Sequence, residues 1–162
     1  MRQLQNRLWV AAKLSPRRRF RALYDRIHRS DILWEAWRRV RANRGAAGVD
    51  AESIEAVEKA GGEGFLSGIQ GLLRTGRYRP QAVLRRYIPK PDGRKRPLGI
   101  PTVRDRVVQM TAKLVLEGVF EADFRDCSLG FRPKRSAQQA LERLWERGNK
   151  GGDHILDADI RD

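Results

Sequence analysis

Cysteine occurs once, at Cys127, and histidine only at His28 and His154, so a disulfide framework and a Cys/His zinc site both lack the residues they need. A lone thiol fits a reducing cytoplasm, the compartment expected for this chain. No apolar run approaches the roughly 20 residues of a membrane span, and the start, MRQLQNRLW, lacks the apolar stretch of a signal peptide. The expectation is a soluble protein with no membrane contact. Walker-type Gly-x-x-x-x-Gly-Lys loops, Gly-x-Ser-x-Gly elbows and His-Glu-x-x-His pairs are missing too, which removes support for nucleotide-hydrolase, serine-hydrolase and zinc-protease readings. Acid is scarce: 20 Asp plus Glu face 34 Lys plus Arg, a formal net charge of +14. Such an excess calls for a polyanionic partner, nucleic acid first.

What remains, 162 residues with 40% hydrophobic and 33% charged side chains, suits one globular domain with a modest core. Leu4, Leu8 and Ala11 or Ala12 recur at helical spacing, and Ser15-Pro16 predicts the start of a second helix that buries Phe20, Leu23, Tyr24 and Ile27. Its other face would carry Arg17, Arg18, Arg19, Arg21, Arg26 and Arg29, either solvated or against phosphates. Asp31 is the expected cap of a third helix with an Ile32, Leu33, Ala36, Trp37, Val40 stripe, and Trp34 and Trp37 are expected in the core. In the loop NRGAAGVD, residues 43–50, Gly45 and Gly48 allow close approach to another backbone, and Asp50 fits a turn or cap. A weak helix over 53–60, a Gly61-Gly62 break and a clearer helix bearing Phe65, Leu66, Ile69, Leu72 and Leu73 follow, ending near Gly76.

The segment RRYIPKPDGRKRPLGIP sets strands at Ala82–Ile88 and Lys95–Ile100 on either side of a Pro91-Asp92-Gly93 turn. Arg85, Arg86, Lys90, Arg94, Lys95 and Arg96 thus share one hairpin, to grip phosphates or to keep an edge strand soluble. Thr102 and Asp105 fit a capping box ahead of a deeply buried helix bearing Val107, Val108, Met110, Leu114, Val115 and Val119, with Gly118 suggesting an end or kink. Ser136 and Gln139 repeat the capping signal before Ala137, Ala140, Leu141, Leu144 and Trp145. In HILDADI, Ile155, Asp157 and Asp159 alternate onto one face of a predicted strand. The two carboxylates would suit one arm of a Mg²⁺ site or a plain surface role.

Taken in order, the motifs resemble the N-terminal part of bacterial group II intron-encoded reverse transcriptases, the intron maturases. LWEAWRRVRANRGAAGVD is similar to the block ahead of that family's fingers, YRPQAVLRRYIPKPDGRKRPLGIPTVRDRVVQM to its first reverse-transcriptase block, DCSLGFRPKRSAQQAL to its second, and HILDADIRD to the opening of its third. The resemblance implies an α+β, mostly helical fold: a basic helical extension over 1–30, polymerase fingers with a β-hairpin over 31–152, and the first palm strand from 153 to 162, where the palm is cut short. It implies Asp159 as catalytic carboxylate and Mg²⁺ ligand, and Lys90 and Arg96 at the triphosphate of the incoming deoxynucleotide. Arg85, the loop with Asn43, Gly45 and Gly48, and Phe131 with Arg132 would lie along the template and primer. Intron RNA, a DNA primer and a dNTP are the implied partners of the complete enzyme, and the fragment alone is expected to be inactive. A different class of function stays open: a non-catalytic basic module that binds intron RNA and assists its folding or splicing.

Overall fold

A stripe of apolar side chains spaced three and four apart needs a partner to cover it, and in this chain most of the stripes cover one another. The computed structural model describes residues 1–152, His154 and 156–158. Helices form at Arg2–Leu14 (α1), Tyr24–Ile27 (α2), Ser30–Ala42 (α3), Ile54–Lys59 (α4) and Glu63–Arg74 (α5), followed by strands Leu84–Pro89 (β1) and Lys95–Ile100 (β2) and helices Val103–Asp123 (α6) and Ala137–Asn149 (α7). The fold is α+β and mostly helical. Met1–Asp123 forms one compact unit and Phe124–Asp162 a second.

In the first unit α6 is the central element, packed against α1 and α3. Val103, Val107, Leu114 and Val115 from α6 meet Ile32, Leu33, Ala36, Trp37 and Val40 from α3, with Leu66, Ile69 and Leu73 of α5 closing the core. Trp34 departs from expectation and is half exposed, because it sits off the Leu33, Trp37, Val40 stripe that faces α6. The helix does not end at Gly118: α6 runs on to Asp123, and a Cβ at Gly118 would stand 2.7 Å from the Gln5 carbonyl oxygen. The missing side chain lets α1 lie directly on α6, where Gln5 Nε2 donates to the Leu114 carbonyl at 3.0 Å.

The predicted second helix shrinks to the four residues of α2. Arg17 and Arg21, four apart, would repel one another on a continued helix, and Arg18 lies over the Phe20 ring instead. Asp31 is no cap either. It lies within the first turn of α3, where it pairs with Arg29 at 2.9 Å. Two helices end as their glycines predict. Gly61 and Gly76 adopt φ of 90° and 67°, and the amides of Gly62 and Arg77 reach back to the carbonyls of Val57 and Leu72.

In the second unit Ser136 and Gln139 form the full reciprocal capping box of α7. The apolar residues behind it are exposed, Leu141, Leu144 and Trp145 among them, so this stripe finds no cover among the described residues. His154 and 156–158 carry no regular secondary structure, while the rest of the predicted palm strand, Asp159 included, lies outside the described residues.

Candidate nucleic-acid interface

β1 and β2 pair antiparallel with Leu84 opposite Ile100, Arg86 opposite Leu98 and Ile88 opposite Arg96. The pairing continues into the turn, where the Lys90 amide donates to the Arg94 carbonyl at 2.8 Å and the Gly93 amide to the Lys90 carbonyl. Gly93 takes φ of 79°, which the tight turn requires. Side chains on paired strands alternate between faces, so the register sorts the cations. Arg86 and Arg96 share one face with Leu84, Ile88, Leu98 and Ile100, and Lys90 follows just beyond the paired residues, at the turn. Arg85 and Lys95 point to the other with Tyr87 and Pro97. Beyond Leu84 and Ile100 the hairpin is exposed throughout.

Arg94 stands apart from the other five. Its guanidinium clasps Asp92 Oδ2 at 2.9 and 2.7 Å, while its amide bonds Oδ1 at 3.0 Å. The Arg94 hydrogen bonds hold the Asp92 carboxyl below its ordinary range. Among the described residues no acidic side chain engages Arg85, Arg86, Lys90, Lys95 or Arg96. Clustered cations without counter-charges repel one another, and an anionic ligand relieves that repulsion.

The loop over 43–50 sits at the foot of β2. Gly48 is buried against the backbone of Pro101 and Thr102, and a Cβ there would meet Thr102 Cα at 2.6 Å. A side chain at Gly45 would collide with the Arg106 guanidinium. The close approach expected of these glycines is therefore made to the start of α6. Asn43 caps α3 through its backbone, Arg44 takes φ of 45°, and Asp50 Oδ1 accepts from the Glu52 amide in a local turn.

Three residues organise this region: Tyr78 and Arg106, which sequence reasoning passed over, and Asp105, which it read only as part of a capping box. Asp105 is almost fully buried; its Oδ1 accepts from the Tyr78 hydroxyl at 2.5 Å and its Oδ2 from the Gln81 amide at 3.1 Å. Half of the expected capping box is thus present. Thr102 Oγ1 accepts from the Asp105 amide, but the carboxylate turns to the connector before β1. Burial, reinforced by the bond to Asp105, pushes the Tyr78 phenol well above its ordinary value. Arg106 Nη2 donates to the Ala46 carbonyl at 2.6 Å, and its Nε is buried without a partner among the described residues. Burial lowers the Arg106 pKa, opposed by the charge of Asp50. An acid beside a base in the first turn of an apolar helix was the available signal.

Phe131 and Arg132 belong to the second unit. Phe131 is fully exposed with φ of 55°, whereas Arg132 is turned inward, donating to the carbonyls of Arg125 and Ser128 at 2.7 and 2.6 Å and lying over the Phe124 ring. Arg132 thus folds its own loop. Among the described residues no group of three His, Cys, Asp or Glu side chains is placed to hold a metal ion. No helix among them is long and apolar enough to cross a membrane.

Fold and site together define a basic α+β protein whose exposed hairpin presents cations with no acidic partner among the described residues, above a pinned, glycine-bearing loop. No family model matches the chain. It is 35% identical over 88% of its length to Group II intron-encoded protein LtrA of Lactococcus lactis subsp. cremoris, and 32% identical over 98% to Protein YkfC of Escherichia coli (strain K12). A Putative COX1/OXI3 intron 1 protein of Saccharomyces cerevisiae is 27% identical over 81% of the chain. The chain belongs with the group II intron-encoded proteins and matches a part of them. It spans 43% of the length of YkfC and 23% of that of LtrA.

Proposed function

We propose that this chain is the fingers region of an RNA-directed DNA polymerase encoded by a group II intron, binding intron RNA as template together with a primer and the triphosphate of a deoxynucleotide. The observation that carries the reading is the sorting of the hairpin cations: among the described residues Lys90 and Arg96 have no acidic partners, while Arg94 is engaged by Asp92. Lys90 supplies a compact point charge and Arg96 a planar fork, a pairing suited to polyphosphate oxygens. Arg85, on the opposite face, has the place to serve the template strand, with the loop over 43–50 at the foot of the same hairpin. Phe131 offers an exposed aromatic ring for base stacking.

Asp159 is the proposed carboxylate ligand of Mg²⁺ in the longer protein. When bound there, the metal supplies electrostatic stabilisation of the displaced phosphate oxygens. The reading assigns nucleotidyl transfer to the longer protein and binding to this chain. RNA binding by the chain, measured at several salt concentrations, tests it. Each lost single-strand phosphate contact lowers the slope of log affinity against log salt by about 0.7, so Arg85→Ala should flatten the slope by about that amount. An unchanged slope removes Arg85 from the template path, and salt-independent binding removes the reading altogether.

A further inference from the structure

The first turn of α6 reaches both segments that flank the candidate interface, and it does so through neighbouring residues. Successive positions on a helix point about 100° apart, so Asp105 and Arg106 face different neighbours from one rigid turn. Asp105 holds the connector before β1 at two points, the Tyr78 hydroxyl and the Gln81 amide. Arg106 holds the loop over 43–50 at the Ala46 carbonyl, its guanidinium filling the space that a side chain at Gly45 would need. Between them Thr102 caps the turn, and its backbone is the surface on which Gly48 lies. The connector, the loop and the foot of β2 therefore converge on residues 101–106.

We propose that Asp105 and Arg106 are positioning residues that fix the separation between the β1–β2 hairpin and the loop over 43–50, and so pre-form the surface that RNA meets. The inference rests on the function proposed above, and it adds a division of labour. Hairpin cations touch the ligand; the α6 bracket sets where they and the loop stand. A pre-set loop spares the ordering cost that a free one incurs on binding. An ionised side chain hydrogen-bonded to backbone groups makes a strong, directional fastening, and the absence of a partner at Arg106 Nε leaves Ala46 as its anchor among the described residues.

Amide hydrogen exchange on the full chain tests the bracket without reference to ligand. Arg106→Ala should raise exchange across 43–50 and leave 84–100 unchanged. Asp105→Asn, which loses one charge and keeps the shape, should raise exchange at 78–83 and leave 43–50 unchanged. Arg106→Lys, able to reach the same carbonyl, should restore protection of the loop. RNA affinity of Arg106→Ala should fall about three- to tenfold, the scale set by ordering a few side chains, with the melting temperature close to the parent's. Exchange unaltered in both variants, or a global rise in both, overturns the bracket. Exchange altered as expected with RNA affinity unmoved overturns the link to binding. Loss of RNA binding on Arg85→Ala or on Lys90→Ala/Arg96→Ala reports on the hairpin alone, so failure of the proposed function shows separately.

Discussion

At the scale of single residues, the molecule turns on a few places where backbone meets backbone. Gly48 and Gly118 are alike in chemistry to Gly68 but opposite in consequence, because a Cβ at the first two strikes main chain while Gly68 has nothing within 4 Å. Gly48→Ala is expected to destabilise the protein by about 1–3 kcal/mol, the usual cost of overpacking a closed site. Gly68→Ala, on the exposed face of α5, should stabilise it by about 0.5–1 kcal/mol through helix propensity. Urea denaturation of the two variants checks both; equal shifts would remove the argument from backbone contact. The same scale explains why Arg132 and Arg94 differ from their neighbours. Each has found an oxygen acceptor nearby, two carbonyls for one and a carboxylate for the other.

At the scale of elements, α3 carries a charged outer edge as ordered as its inner stripe. Glu35 accepts from Arg38 at 2.8 and 2.7 Å and from Arg39 at 2.8 Å, and these bonds pull its pKa down to about 2 from the ordinary 4.5. A depressed carboxylate contributes stability above its unfolded pKa and loses it as pH falls through the folded one. The contribution should fade between about pH 4.5 and about pH 2. The pair lies at the surface, so its size is small and salt weakens it. Acid titration of stability should be shallower in Glu35→Gln across that window, and an identical profile would show the cluster to be energetically silent.

Elements also show what sequence made legible. The α3 stripe, the Schellman endings at Gly61 and Gly76, the α7 capping box and β2 from Lys95 to Ile100 follow from local chemistry, and each took the form that periodicity and turn residues imply. The second helix did not, because periodicity recorded Phe20, Leu23, Tyr24 and Ile27 while the like charges of Arg17 and Arg21, four apart, opposed the turn they needed. Trp34 was misplaced for a related reason: hydrophobicity alone does not say which side of a stripe a residue occupies. At the candidate site the hairpin and its turn were readable, whereas the roles of Tyr78, Asp105 and Arg106 depend on contacts made 24, 27 and 60 residues away along the chain. The local pattern offers an acid beside a base in the first turn of α6, but their partners are tertiary facts.

At the scale of the whole molecule, a net charge of +14 sets a general attraction for polyanions, and the fold decides which cations specify anything. Many arginines lie on exposed surfaces, so a loss of charge anywhere lowers affinity a little. What distinguishes the hairpin is geometry, since one turn brings Lys90 and Arg96 onto the same hairpin and local pairing withdraws Arg94 from the set.

Titration of the chain with a nucleoside triphosphate at low salt, followed by amide chemical shifts, tests that distinction most directly. Lys90→Ala/Arg96→Ala should weaken binding at least about tenfold, as expected for losing two charge-assisted contacts, and should erase the shifts along 86–98. Arg94→Ala, equal in charge to either single change, should stay within about threefold of the parent, the scale of a surface charge already paired. Equal losses in the two variants, or shifts that bypass the hairpin, would contradict the assignment of Lys90 and Arg96 as the triphosphate clamp.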